Sequence, residues 1–205
     1  MHITVFGASG RTGLLTVFQA LNQGHKVTAF TRRETDVTTK HPNIQIIQGD
    51  ILEFNKVKQA VDGRDVIMCL VGVDKNKHST ILSEGTRNIL TAMEESGVKR
   101  FICMSSVGLL GNDAGFWFGK IVIPMFLRHV FADKKRQMRI IQESQADWII
   151  IRPVGLTNAP KTGSYKITFD VPSSKSVPRA DVADFLLKLC NDRKYDRQMP
   201  IISSF

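Results

Sequence analysis

Cysteine is scarce in this chain, and its arrangement excludes a disulfide framework. Cys69, Cys103 and Cys190 are an odd number at wide spacing, with no C-x-x-C pair. Cys69 and Cys103 fall inside apolar, strand-like runs, the pattern of buried free thiols in a reducing compartment, so a cytoplasmic protein is expected. Strand-like sequence starts at residue 2, so no signal peptide is expected. The apolar segment 116–131 is too short to span a bilayer and is interrupted by Lys120, Pro124 and Arg128. Repeats, low-complexity tracts and linkers are missing, and 205 residues suit one domain with a full core.

Acidic residues are also in short supply, with 19 Asp and Glu against 28 Lys and Arg, a net charge of +9. Such an excess suits nucleic acid, an anionic membrane surface or an anionic small ligand. The basic residues are mostly scattered, with local concentrations at Arg32-Arg33 and at Lys134-Lys135-Arg136 with Arg139. No basic stripe interleaved with aromatics accompanies them, so nucleic acid is not expected as a partner.

What the chain does have is concentrated in its first thirteen residues. His2 to Phe6 form a short apolar stretch rich in β-branched residues, and Gly7, Gly10 and Gly13 follow at three-residue intervals. Leu14, Leu15, Val17, Phe18 and Leu21 then recur at helical spacing. A glycine triplet alone is an ordinary turn. Between a strand and a helix, at the start of an α/β pattern, it reads as a dinucleotide-binding turn. Gly7 turns the chain, Gly10 lets backbone approach a pyrophosphate, and Gly13 lets the helix pack on the strand. Ser9, Arg11 and Thr12 add donors where the helix amino terminus offers free N–H groups.

The remainder alternates strand and helix. Strands are expected at Lys26–Thr31, Ile44–Gln48, Asp65–Val71, Arg100–Met104 and Asp147–Arg152, with helices at Glu53–Val61, Ser79–Gly97 and Asp133–Ser144. Ser79 would cap the second of these helices and Gly97 stop it. Beyond Pro153 the repeat ends, leaving a short solvent-facing strand at Thr162–Asp170, a helix at Pro178–Cys190 and a last edge strand in the tail. The fold class is α/β, a single Rossmann-like doubly wound parallel sheet over 1–205, with about 153–205 as a small substrate-side extension.

Several positions then fall at the carboxyl edge of such a sheet, where ligands bind. Arg32 and Arg33 end the second strand, where an NAD-preferring protein usually carries an acid. Arginines there offer forked donors to a 2′-phosphate, which favours NADPH, although Glu34 leaves open a pair of plain exposed loop arginines. Asp50 is placed for an adenine amino group and Ile51 for the ring face. Val71-Gly72 can pass the middle of the cofactor. Met104, Ser105 and Ser106 reach the place of a nicotinamide. Segment 116–131 holds five of the fourteen Phe and Trp residues, and it either walls an aromatic pocket, covers the core, or faces a partner, a second copy or a membrane surface. His2, His25, His41, His78 and His129 read as loop or surface residues, and no metal site is expected.

Taken in order, Gly-Ala-Ser-Gly-Arg-Thr-Gly, Thr-Arg-Arg, Gly-Asp-Ile-Leu, Ser-Glu-Gly-Thr-Arg-Asn-Ile, Cys-Met-Ser-Ser and Arg-Pro-Val-Gly-Leu resemble the atypical, NmrA-like short-chain dehydrogenases/reductases. Thr162-Gly163 and Ser-Val-Pro-Arg-Ala-Asp-Val-Ala at 176–183 extend the likeness, which runs from about residue 2 to 195 and is strongest to flavin- and biliverdin-reducing members. The resemblance implies NADPH along the carboxyl edge. Gly7, Ser9, Gly10, Arg11, Thr12 and Gly13 would meet the pyrophosphate, Arg32 and Arg33 the 2′-phosphate, and Asp50 and Ile51 the adenine. Val71 and Gly72 would meet the middle of the cofactor, Ser105 the nicotinamide and substrate, and Pro153 and Val154 the ring's other side. The family's usual acid, a Tyr with Lys four residues on, is missing. Tyr165 and Tyr195 are followed at that spacing by Phe169 and Met199, and Phe116 stands four before Lys120 without a phenol. A carbonyl or alcohol substrate would lack its proton donor. A flavin, quinone or tetrapyrrole would not need that donor in the same way. Gly155 replaces a histidine of the biliverdin-reducing members. The other function the resemblance allows is a non-enzymatic NADP(H) sensor acting through a protein partner.

Overall fold

Strand β1 (His2–Phe6) is buried over four of its five residues, because it lies inside the sheet with helices on both faces. Ile3 and Val5 join the apolar cluster on one face and Phe6 the cluster on the other, which is why the run is apolar on both sides. The computed structural model describes residues 1–32, 37, 40–73, 80–110 and 128–205. Parallel to β1 lie β2 (Lys26–Thr31), β3 (Ile44–Gln48), β4 (Val66–Cys69), β5 (Arg100–Met104) and β6 (Asp147–Pro153). The eight-stranded sheet runs β3-β2-β1-β4-β5-β6-β10-β8, with β8 at Lys166–Thr168 and β10 at Ile201–Ser203. A separate pair, β7 (Gly155–Thr157) and β9 (Ser176–Pro178), stands beyond the end of β6.

Helices α1 (Arg11–Asn22) and α5 (Arg179–Lys188) cover one face; α2 (Phe54–Val61), α3 (Ile81–Ser96) and α4 (Arg128–Glu143) cover the other. This is the doubly wound α/β architecture that the sequence pattern implies. After β3 the chain crosses back over β2 and β1 to lay down β4, so the strand order reverses between β1 and β4. The reversal opens a crevice at the carboxyl edge.

The last third departs from the expected layout. The tail strand β10 is not an edge. It lies between β6, to which it is parallel, and β8, to which it is antiparallel. The edge is β8, three residues out of the expected 162–170. Buried arginines hold this flank together. Arg152 on β6 donates through Nε to the Met199 carbonyl at 2.8 Å and through Nη2 to the Phe169 carbonyl at 2.6 Å. Arg100 on β5 donates to the carbonyls of Leu189 and Asp192 and pairs with Asp196. Each gives donors to backbone carbonyls of the connections that flank β8 and β10.

Among the described residues helix α4 is already helical at Arg128, five residues before the expected Asp133, and the expected cap Ser79 lies outside the described residues. The amino terminus of α3 is instead met by Asp133 of α4. Its carboxylate accepts from the Leu82 N–H at 3.0 Å, the Ser83 N–H at 3.4 Å and the Ser83 hydroxyl at 2.5 Å. A carboxylate at a helix amino terminus satisfies free donors and matches the dipole. His2 is a strand residue with Nε2 3.0 Å from the Thr28 hydroxyl, and His78 lies outside the described residues.

Candidate functional site

The turn after β1 shows what each glycine does. Gly7 has φ of +81°, and a Cβ there would sit 2.9 Å from the Leu70–Val71 backbone. At Gly13 a Cβ would come within 2.1 Å of the Gly7 carbonyl oxygen, so any side chain would push α1 off the turn. Gly10 differs: a Cβ would meet only the Gly7 carbonyl, at 3.2 Å, and the residue is otherwise open to solvent. Helix α1 starts directly after it with no side-chain cap and no acid in its first turn. The Gly10 N–H donates to the Gly7 carbonyl at 3.0 Å and the Leu14 N–H to the Gly10 carbonyl at 2.8 Å, which leaves the N–H groups of Arg11, Thr12 and Gly13 for an incoming anion at the positive end of the dipole. That uncapped terminus beneath an open glycine is what a dinucleotide's diphosphate requires. Thr12 is buried, while Ser9 is partly exposed and Arg11 exposed.

Along the edge, Arg32 follows β2 and is exposed, its carbonyl accepting from the Gln48 side chain at 3.2 Å. Arg33 and Glu34 lie outside the described residues. Asp50 uses one carboxylate oxygen to accept from the Leu52 N–H at 2.9 Å, leaving the other for a ligand. Ile51 is 6% exposed. It packs on α3 at Gly85, where an added Cβ would lie 2.7 Å from the Ile51 side chain, and its carbonyl accepts from Asn88 at 3.1 Å. The motif Ser-Glu-Gly-Thr-Arg-Asn-Ile therefore holds the loop after β3: glycine makes room for Ile51 and asparagine ties it down. Val71 is half-buried, and Gly72 is exposed with no atom of the described residues within 4 Å of a built Cβ.

At the far end β5 and β6 stay zipped past their last paired residues. Ser105 N–H donates to the Ile151 carbonyl at 2.8 Å and Val107 N–H to the Pro153 carbonyl at 3.0 Å. This fixes Met104, Ser105, Pro153 and Val154 around one spot. The Ser105 hydroxyl is buried and has no hydrogen-bond partner among the described residues, so it is a donor that a bound ring could use. Beside it lies Lys134 of α4, a residue the sequence reading placed only in a basic helix. Its ammonium donates to the Ser106 hydroxyl at 2.8 Å and sits 5.5 Å from the Phe131 ring. Burial pushes the Lys134 pKa down to about 8. A signal did exist: Asp133, Gln137 and Ile141 recur every fourth residue and form the buried face of α4, so a lysine next to Asp133 stands at the margin of that face. Phe116, Lys120 and the rest of 116–127 lie outside the described residues; 128–131 belong to α4.

Two open, shallow clefts among the described residues lie away from this edge. Each has a volume of about 410 Å³; one is between α3 and α4 near Val98 and Ala146, the other beside α1 at Phe18 and Lys161.

The sequence pattern of the NAD(P)H-binding family matches residues 7–193. The chain belongs to that family. Its cofactor is a nicotinamide dinucleotide, and the atypical short-chain dehydrogenase resemblance agrees with this membership. The chloroplastic protein At2g34460 of Arabidopsis thaliana is 30% identical over 176 residues, covering 79% of this chain and 61% of its own length. The chain thus spans less than two thirds of that curated relative. Among solved structures, a short-chain dehydrogenase/reductase of Veillonella parvula in complex with NADP superposes with a TM-score of 0.85 at 19% identity, covering 99% of this chain and 94% of that one. ChuY, an anaerobilin reductase of Escherichia coli O157:H7, superposes with a TM-score of 0.80 at 23% identity over 98% of this chain and 96% of its own. These neighbours share the fold of NAD(P)H-dependent oxidoreductases. No helix among the described residues is long and apolar enough to cross a membrane.

Proposed function

We propose that the chain is an NADPH-dependent reductase that passes hydride to a planar acceptor of the free-flavin class, FMN or riboflavin. The observation that carries this reading is a buried Ser105 hydroxyl, without a partner among the described residues, next to Ser106, which accepts from the half-buried Lys134 ammonium at the end of β5. When bound, the reduced nicotinamide supplies the hydride. The protein's part is alignment and proton supply. Gly10, Arg11, Thr12 and Gly13 hold the diphosphate, Gly7 and Ser9 shape the turn, and Arg32 with Arg33 selects the 2′-phosphate. Asp50 reads the adenine, with Ile51 supporting the loop from below, while Val71 and Gly72 leave the dinucleotide a path. Pro153, Val154 and Met104 bound the ring, and residues 153–205 form the acceptor side.

Ser105 donates to the ring system, and Lys134 holds a proton next to Ser106 for an acceptor that gains negative charge on reduction. A tyrosine acid is not required, since a flavin delocalises that charge. Gly155 bears on the acceptor as well: a Cβ there would lie 2.8 Å from the Lys175 carbonyl oxygen, to which the Gly155 N–H donates. The β7–β9 pairing therefore has no room for a histidine side chain at this point, which favours flavins over tetrapyrroles. Anaerobic stopped-flow absorbance at 340 nm with FMN, riboflavin, a quinone, a linear tetrapyrrole and simple aldehydes tests the reading. Oxidation by flavins and not by aldehydes is the expected result. NADPH that binds tightly and is oxidised by none of them would instead make the protein a redox sensor.

A further inference from the structure

Helix α4 buries Phe131, Asp133, Gln137 and Ile141. Two of these are polar, one turn apart, and both are spent on α3. Asp133 is 1% exposed. It meets the Leu82 and Ser83 donors at the start of α3, and it also takes Arg136 Nη2 of its own helix at 3.2 Å. One turn farther along both helices, Gln137 Nε2 donates to the Thr86 hydroxyl at 2.8 Å. The two helices therefore run side by side in the same direction, with 133 against 82–83 and 137 against 86.

Apolar packing accompanies these bonds, since Ile89, Met93 and Ile141 share one cluster. Such packing is non-directional and lets one helix slide or roll on another. A buried hydrogen bond does not. A shift of one residue, about 1.5 Å along the axis, leaves a carboxylate or an amide without its partner in a dry setting. Two such bonds a turn apart fix both the height and the rotation of α4 on α3.

Lys134 follows Asp133 on the margin of the buried face, and its ammonium reaches Ser106 beyond the end of β5. We propose that Asp133 and Gln137 are positioning residues for Lys134, holding α4 at the register on α3 that brings the ammonium to Ser106. The proposal rests on the proton role given to Lys134 and deepens it. Burial lowers the proton affinity of the ammonium, against an opposite pull from the Cys103 thiol of β5. Asp133 is turned to α3, where its charge is met, so it acts through the backbone of α4. A displacement of about 1 Å at a reacting group can cost roughly a hundredfold in rate.

The pH midpoint of Lys134 acylation by acetic anhydride, read by peptide mass spectrometry on the folded protein, tests this. In the unmodified protein the midpoint should lie at about 8. Asp133→Ala frees α4 and lets the ammonium into water, which should move the midpoint toward the ordinary 10.5 by about a unit or more. Asp133→Asn keeps an oxygen for the Leu82 and Ser83 donors and should stay near the unmodified value. Gln137→Met, close in size but unable to donate, should move the midpoint upward as well, and it decides the matter if Asp133→Ala does not fold. With FMN, kcat should fall roughly tenfold or more in Asp133→Ala and Gln137→Met, leave KM for NADPH unchanged, and recover in Asp133→Asn. A lower melting temperature with the midpoint still at about 8 in both variants is what a purely structural cap gives, and it overturns the proposal. So does Asp133→Asn shifting the midpoint as far as Asp133→Ala. The acylation arm needs no turnover, so a protein that reduces no flavin loses the flavin reading and not this one.

Discussion

Lys134 sits where a charge is costly to keep. Burial lowers its pKa to about 8, below the ordinary 10.5, so between those values the unfolded chain binds more protons than the folded one. Stability therefore rises with pH through that window, and the full penalty is present below pH 8. Lys134→Met should raise the melting temperature at pH 7 while lowering turnover, the trade expected of a functional group in a strained setting. If the lysine supplies a proton, turnover in the unmodified protein falls as pH rises from 7 to 9, and the variant loses that slope. A melting temperature that drops, with the pH profile unchanged, would make Lys134 a packing residue. Ser105→Ala should lower turnover by about a hundredfold or less and hardly change NADPH affinity, because its hydroxyl bonds nothing among the described residues. Arg32→Asp should erase or reverse an NADPH preference over NADH of at least about tenfold; equal affinities in the unmodified protein would contradict the role given to this residue.

At the scale of elements, the glycine turn separates binding from folding. Gly10→Val places a branched side chain over the α1 amino terminus and should abolish NADPH binding with the circular dichroism spectrum intact. Gly13→Ala meets the Gly7 carbonyl at 2.1 Å and should cost stability first, about 1–3 kcal/mol by denaturant titration. The six parallel strands of the α/β core were legible because each is bounded by turn residues and five are buried almost throughout, while the edge strand β3 alternates isoleucines with the exposed Gln45 and Gln48. The tail was not. β7, β8, β9 and β10 have three residues each, too few for alternation to show. Nothing in Ile201-Ile202-Ser203 tells an inner strand from an edge. What settles it is Arg152 reaching the Met199 and Phe169 carbonyls, a long-range contact. In the site, cofactor positions stood out because glycine and arginine have few uses at a strand end. Lys134 did not, since its role depends on α4 lying beside the end of β5, and spacing within α4 says nothing of that neighbour.

For the molecule as a whole, the sheet is laid down from its middle outward. β1, β2 and β3 take one side, β4, β5 and β6 the other, and β10 pairs with β6 only after the chain has made α5. Removing 199–205 should leave β6 with a bare edge and β8 without its partner, and Arg152 would lose its Met199 acceptor. Soluble yield should drop, with the remainder aggregating in light scattering; full yield and an unchanged melting temperature would show that β10 is dispensable. During synthesis the same geometry sets a schedule. Until Ile201 clears the ribosome, β6 offers an unpaired, apolar edge to neighbouring nascent chains, a state prone to misassembly. Translation speed over the stretch between β6 and β10, and the supply of holding chaperones, should therefore govern how much protein a cell recovers more than any substitution at the cofactor edge.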